Sequence, residues 1–546
     1  MAAKPIYEGV RTVNPTGVPQ FPFDRPPRVR ESSKPSYATR RADTVRIPMR
    51  DGVTLAADVL RPSAPGQKFP ALLAVSPYSR QLQHTALPSG QNEAGISEFW
   101  VPRGYAHVMM DVRGSNDSGG SYDLMGPLEQ HDLFDAIEWL ARQPWCNGNV
   151  GMIGCSYFGW SQLMAATQRP PHLKAIFAFD AATDLYRDAF FHGGIFSDGF
   201  ALTWFDALRS ENLLGERLKD VSGMQRHRKA ILGWEHPFDG PYYQERLSWK
   251  RLDRITIPVY FVCDWAFFML HLRGAFEGWE AVGNIPKRMA IGPQPKPFRP
   301  MSAYHGEALR WYDFHLKGMN TGVMDGPPIQ LYIPGRDRWR GEQEWPLART
   351  QWREFFLGGK AGNAVRTLAD SAGRDGQAAY TYDPASPEAR TGNPRLVYRT
   401  EPLDSDLEVT GPIALNLWAS SSAPDTDFLV SFRDEAPDGQ VRELTRGWLR
   451  ASHRRLDTAR SRPWRPFHPH LKPELLTPGE AYELAIEIWP TSNLFKAGHR
   501  IRLEIASSDD QSELRHHTSL AALARNTILE GRSHPSRLLL PVIPPA

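Results

Sequence analysis

One short segment limits the fold more than any other. Residues 150–155 (VGMIGC) form an apolar run of buried-strand type, and a helix-forming stretch reaches from there to about Gln168. The junction reads Gly154-Cys155-Ser156-Tyr157-Phe158-Gly159. A serine on so sharp a strand-to-helix turn has its hydroxyl pushed out from the top of a sheet. The small residues around it relieve crowding, and the helix N-terminus offers oriented N–H groups to an oxyanion. In the usual pattern glycine stands two residues after the serine; here Phe158 holds that place and Gly159 comes third. An N-capping serine is the plain alternative, and the strand–turn–helix context favours a nucleophile.

The flanking sequence extends this into a doubly wound α/β sheet. Residues 44–49 and 53–60 alternate as strands around Arg50-Asp51-Gly52, a hairpin signal. Buried strands are expected at 70–75, 106–112, 174–180, 258–263 and 288–292. Leu133, Ile137 and Leu140 mark an amphipathic helix over about 128–143. The alternation stops between 185 and 254. Helical composition there, with Phe190, Phe191, Phe196, Phe200, Trp204 and Phe205, predicts an inserted helical cap whose aromatics wall a pocket. After Gly318 short strands recur at 329–333, 414–419, 428–432, 482–488 and 501–506, the signature of an all-β sandwich. The expected division is 1–184 and 255–320 for an α/β-hydrolase domain, 185–254 for the cap and 321–546 for the sandwich. Residues 1–40, rich in Pro and Arg, read as an extended arm.

Charge excludes several functions. The 64 basic and 61 acidic residues leave a net +3, which gives no footing for nucleic acid or an anionic membrane. No run of about 18 apolar residues exists to span a bilayer, and residues 1–11 lack the apolar core of a secretory leader. With only Cys146, Cys155 and Cys263, no disulfide framework can form; a cytoplasmic protein is expected. The basic stretch 450–472 reads as a solvated loop, and His468-His470 and His516-His517 as surface pairs. Asp425/Asp427 and Asp509/Asp510 lack the spacing of a calcium loop. No metal or other cofactor is expected. The partner is a small-molecule ester or amide substrate, and a homo-oligomer is compatible with the sequence.

Residues along most of the chain resemble one family. They include Met49-Arg50-Asp51-Gly52, Ser76-Pro77-Tyr78, Asp111-Val112-Arg113-Gly114, Gln143-Pro144-Trp145, Gly154-Cys155-Ser156-Tyr157, Leu316-Lys317-Gly318 and Asp425-Thr426-Asp427-Phe428. The chain resembles the cocaine esterase / X-Pro dipeptidyl-peptidase-like hydrolases, also called CocE/NonD, which include the α-amino-acid ester hydrolases and glutaryl acylases. The resemblance implies an α/β-hydrolase fold with a helical cap and a C-terminal jelly roll. It also implies Ser156 as nucleophile, with the Tyr78 hydroxyl and the Tyr157 N–H as oxyanion hole.

Two positions of that pattern break. The family's Gly-Trp-Tyr-Asp segment reads Cys263-Asp264-Trp265-Ala266-Phe267 here, so Phe267 takes the acid's place and Asp264 lies displaced. Where Gly-Pro-Trp-x-His carries the base, the chain has Gly292-Pro293-Gln294-Pro295-Lys296. A serine without a base is a weak nucleophile, and three readings follow. A migrated triad uses Asp264 with His305, or with His271 as rival. A Ser–Lys pair uses Lys296. A third reading loses hydrolysis and leaves a ligand-binding relative.

Overall fold

In the computed structural model, residues 30–83, 93–213, 222–246, 249–267, 269–293, 301–359, 365–513 and 516–545 are described. Lys296 and the first 29 residues of the arm lie outside them.

The first half of the chain builds one ten-stranded sheet. In chain order β1 is Thr39–Pro48, β2 Thr54–Pro62, β3 Phe69–Ser76, β4 Ala106–Asp111, β5 Cys146–Met152 and β6 Leu173–Phe179. A small hairpin in the cap supplies β7 (Phe191–His192) and β8 (Ile195–Phe196). The sheet resumes with β9 (Val259–Asp264), β10 (Lys287–Gly292), β11 (Ile329–Ile333) and β12 (Arg338–Glu342). Strand order is β1-β2-β4-β3-β5-β6-β9-β10-β11-β12. From β4 to β11 every neighbouring pair is parallel, while β1, β2 and β12 add antiparallel edges. The central strands are buried on both faces, so they read as unbroken apolar runs.

The place of one strand differs from expectation. Ile329–Ile333, read above as the first sandwich strand, pairs in parallel with β10 through Met289↔Ile329 and Ile291↔Leu331. All five of its residues are buried, as a strand inside a parallel sheet requires. A short apolar run shows that it is a strand without showing which sheet takes it. The α/β sheet therefore runs on to Glu342, and the sandwich begins beyond it.

The cap opens with a π-helical turn (Leu185–Phe190). It continues through the β7–β8 hairpin into the helices Asp198–Leu213 and Ser222–Leu232. Beyond residue 350 a second sheet of eleven strands forms a β-sandwich around its own apolar cluster. Its long strand Leu407–Ser421 pairs with Tyr482–Phe495, Ala524–Glu530 and Arg537–Ile543. Sandwich residues Leu429, Trp448, Trp489 and Ile543 join the core of the α/β sheet, so the two layers share apolar packing.

Two polar expectations also differ. His468, His470 and His517 are buried, not surface pairs. His517 lies between Asp509 (2.5 Å) and His192 of the cap (2.7 Å), and His470 meets His453 at 2.9 Å. The basic stretch is solvated only in part: Arg455 and Arg462 are exposed, but Arg450 pairs with Asp427 and Arg465 reaches Glu277 and Glu280. Local sequence does not reveal which charges lie under a neighbouring domain. All three cysteines are buried thiols. No helix among the described residues is long and apolar enough to cross a membrane.

Candidate active site

Ser156 stands between β5 and the helix Tyr157–Gln168 with φ 61° and ψ −120°, a conformation that costs a residue with a Cβ about 1–3 kcal/mol. Its surroundings hold it there. The Ser156 N–H donates to the Phe179 carbonyl at the end of β6 (3.1 Å), and the Cys155 N–H donates to the Glu93 carbonyl (2.9 Å). Gly154 has φ 127°, and a Cβ there would lie 2.3 Å from that of Phe158. Gly159 is needed for a different reason: its Cβ would fall 2.4 Å from the Phe179 carbonyl oxygen. The glycine three residues after the serine is therefore the one that lets helix and strand approach. Phe158 is tolerated because its ring turns into the apolar cluster with Cys155 and Phe179. Since the obstacle is main chain, Gly159→Ala is expected to destabilise by about 3 kcal/mol, the upper end of overpacking costs. Urea unfolding measures this, and a change below 1 kcal/mol would contradict the packing argument.

Tyr78 leaves the end of β3 and comes to the same edge. Its hydroxyl accepts the Trp204 indole N–H (3.0 Å), and the Ser156 side chain lies close enough to act on it. With the indole N–H donating to this oxygen, the phenolic proton remains available to donate into the site. Burial pushes the phenol well above its ordinary value, so it stays protonated as a donor. The Tyr157 N–H heads the helix, where the first N–H groups have no intrahelical acceptor. Trp204 stacks on Tyr157 at 6.1 Å, and on the same cap helix Glu211 accepts the Ser79 N–H (3.0 Å), tying the Tyr78 loop to the cap. Of the cap aromatics, Trp204 reaches the site, whereas Phe190 and Phe205 are core. The sequence did not single out Glu211 or Glu93.

Comparison with known proteins adds the family. Residues 51–294 match the X-Pro dipeptidyl-peptidase (S15) family, and residues 321–539 match the X-Pro dipeptidyl-peptidase C-terminal non-catalytic domain. The cocaine esterase of Rhodococcus sp. (strain MB1 Bresler) is 30% identical over 92% of this chain and 98% of its own length. The chain belongs to the S15 family of serine hydrolases. A CocE/NonD family hydrolase from Staphylococcus aureus superposes with a TM-score of 0.80 at 25% identity, covering 93% of both chains. An α-amino acid ester hydrolase shares the fold, with a TM-score of 0.74 at 21% identity over 95% of this chain and 98% of that one.

Asp264 ends β9, 2% exposed, and its Oδ1 accepts the Tyr304 hydroxyl at 2.5 Å. The sequence reading placed His305 at this edge; the structure brings the residue before it instead. The His305 ring is packed 4.7 Å from Phe99 and 5.4 Å from Trp100, and its Nε2 has no hydrogen-bond partner. Burial drives its imidazole down to about 3. No hydrogen bond joins it to Ser156 or Asp264. The reason is helical phase: at the start of the helix His305–Lys317, a one-residue step turns a side chain by about 100°, from the strand end to the aromatic cluster. His271, at the N-cap of the helix Leu272–Ala281, packs on Trp160 at 5.8 Å. Ser156, Tyr78 and Tyr157 are brought together; Asp264 stands at the end of β9, two strands from β5, and meets Tyr304 from the turn before the helix His305–Lys317. Among the described residues no group of His, Cys, Asp and Glu is arranged to hold a metal ion.

Proposed function

We propose that this protein hydrolyses small-molecule esters or amides through an acyl-enzyme formed on Ser156. The observation that carries the reading is a serine held at φ 61° beside a tyrosine hydroxyl whose acceptor side is already filled. In this mechanism the Ser156 Oγ attacks the carbonyl carbon. The Tyr78 hydroxyl and the Tyr157 N–H take the developing oxyanion; its collapse breaks the ester or amide bond, the alcohol or amine leaves with the serine proton, and water then cleaves the acyl–Oγ bond, releasing the acid and restoring the Ser156 hydroxyl. Asp264, displaced from the family's acid position, is the carboxylate this reading assigns as the acid partner. Fluorophosphonate labelling read by intact mass is the test: one adduct on wild type, lost in Ser156→Ala, supports the reading. Tyr78→Phe should lower kcat on activated esters by about 10²–10³-fold, the usual loss for one oxyanion donor. A loss confined to KM would instead assign Tyr78 to substrate packing.

His305→Ala is expected to leave turnover within about twofold of wild type and to lower stability by about 2–4 kcal/mol, as for other truncations in a packed core. A loss of about 10³-fold or more would restore His305 as the base. His271→Ala and Lys296→Ala complete the set. The Tyr304–Asp264 hydrogen bond favours a second reading, in which the acid is satisfied without an imidazole and the pocket binds rather than hydrolyses. An unlabelled wild-type protein with no ester or amide turnover would select it.

A further inference from the structure

Beneath the candidate site lies a buried carboxyl group that the mechanism above does not use. Glu129 sits in the first turn of the helix Pro127–Ala141 and is 1% exposed. Both of its oxygens meet the Tyr157 hydroxyl, at 2.9 and 3.0 Å, and Oε2 also accepts the Met125 N–H at 2.9 Å. The Tyr122 hydroxyl completes the chain 3.3 Å from that of Tyr157. Met125 and Leu124 have positive φ (59° and 43°), so the carboxyl group also pins a strained turn.

From this geometry we infer that Glu129 is a positioning residue for the oxyanion hole: acting through the Tyr157 hydroxyl, it fixes the residue whose backbone N–H receives the oxyanion, and it does so as a neutral acid. The inference rests on the acyl-enzyme reading of Ser156. Tyr157 has two ends with separate tasks. Its main chain follows Ser156 directly, while its ring lies between Trp160 and Trp204 (6.2 and 6.1 Å) and its hydroxyl ends on Glu129. Locking the far end limits how the first turn of the helix can shift. Misplacement of a reacting group by about 1 Å costs on the order of 10²-fold in rate.

The protonation state follows from the surroundings. Burial raises the Glu129 carboxyl to about 8, against the opposing hydrogen bonds from Met125 and Tyr157. Every nearby carboxylate pushes the same way. Asp123 and Asp132 both disfavour a further negative charge, and each has its own partner, Arg246 (3.7 Å) and Arg113 (2.5 Å). The remaining neighbours are the neutral phenols Tyr122 and Tyr157, and His227, whose Nε2 bonds the Tyr122 carbonyl at 3.1 Å and which burial holds neutral, down to about 3. Below about pH 8 the carboxyl O–H donates to the Tyr157 oxygen; above it, the Tyr157 O–H donates to a carboxylate. That carboxylate is an uncompensated negative charge one tyrosine length from the oxyanion. At an effective interior dielectric near 20, such a charge opposes the transition state by about tenfold in rate.

The test is the pH profile of kcat on p-nitrophenyl butyrate between pH 6 and 10, together with the rate of fluorophosphonate labelling. Wild type is expected to lose about tenfold of kcat as pH rises through about 8, with KM unchanged. Glu129→Gln, which mimics the neutral acid, should hold at pH 9 the rate it shows at pH 7. Glu129→Ala should fall by about 10–10²-fold in kcat at all pH values, a loss that Gln restores. Tyr157→Phe should lower kcat with KM intact. A wild-type profile flat through pH 8, or the same alkaline limb in Glu129→Gln, overturns the inference while leaving Ser156 in place. Absence of any adduct on wild-type Ser156 overturns the hydrolase reading and the inference with it.

Discussion

Replacing Ser156 with alanine is expected to abolish fluorophosphonate labelling and to reduce ester turnover by roughly 10⁴–10⁶-fold, the range found when a nucleophile is removed and only the oxyanion hole and binding remain. The fold should not suffer. The side chain is half-buried, and the hydrogen bonds that shape the turn come from main chain: Ser156 N–H to Phe179 and Cys155 N–H to Glu93. Alanine keeps the Cβ and so keeps the strain of φ 61°. Ser156→Gly removes it, recovering about 1–3 kcal/mol of backbone strain against about 0.5–1 kcal/mol of extra unfolded-chain entropy. The glycine variant should therefore be inactive and about 1 kcal/mol more stable than the alanine variant. Thermal unfolding of the pair, run beside the labelling assay, tests both parts. Turnover retained in either variant would remove Ser156 from the chemistry. A glycine variant less stable than the alanine one would show that the turn is not strained by its Cβ.

That elbow was legible in the sequence because its constraints are local. A buried strand, a glycine where a Cβ would strike Phe158, and a helix beginning at once are all written within ten residues. Gly159 was the exception. It looked like a departure from the pattern, and only the Phe179 carbonyl, twenty residues on, explains it. The same limit accounts for the rest. Periodicity identified Ile329–Ile333 as a strand but could not assign it to the α/β sheet, because strand partnership is decided between distant segments. His305 and Tyr304 are adjacent, and sequence distance from β10 favoured neither. The choice is made by the side-chain direction at the helix start, which sends the tyrosine to Asp264 and the histidine to Phe99 and Trp100. Glu129 gave no signal, since a glutamate in the first turn of a helix is an ordinary choice for the helix dipole. Its burial depends on the cap and on the helix Tyr157–Gln168 closing over it. Likewise, Arg465 looks solvated until its carboxylate partners Glu277 and Glu280 on the α/β domain are in place.

Cutting the chain at residue 325 is expected to give insoluble protein rather than a free hydrolase domain, and the structure supplies two separable causes. The first is the sheet. Residues 329–342 form β11 and β12, so this cut exposes the edge of β10, whose residues Met289, Ala290 and Ile291 are wholly buried. An open apolar parallel edge invites pairing with another chain. The second cause is the face against the sandwich. Arg273, 3% exposed, is shared between Asp188 of the π-helical turn (2.9 Å) and Glu487 of the sandwich (3.2 Å). Arg465 of the sandwich holds Glu277 at 2.5 Å and Glu280 at 2.9 Å. Trp448 and Trp489 lie in the α/β core cluster, and His192 of the cap meets His517 of the sandwich at 2.7 Å. Removing the sandwich leaves buried ions without partners, at about 3–5 kcal/mol for each broken pair, beside a large apolar surface unlike that of a tethered domain. A cut at residue 350 separates the causes, because it keeps β11, β12 and the Phe276–Trp345 stack (4.1 Å) while still deleting the sandwich. Both fragments are expected in the insoluble fraction, and the 1–350 fragment should become partly soluble when Glu277 and Glu280 are paired by co-expressed residues 351–546. A soluble, monomeric and active 1–350 fragment would show that the sandwich is a passenger; a soluble 1–325 fragment would show that the sheet does not need β11 and β12.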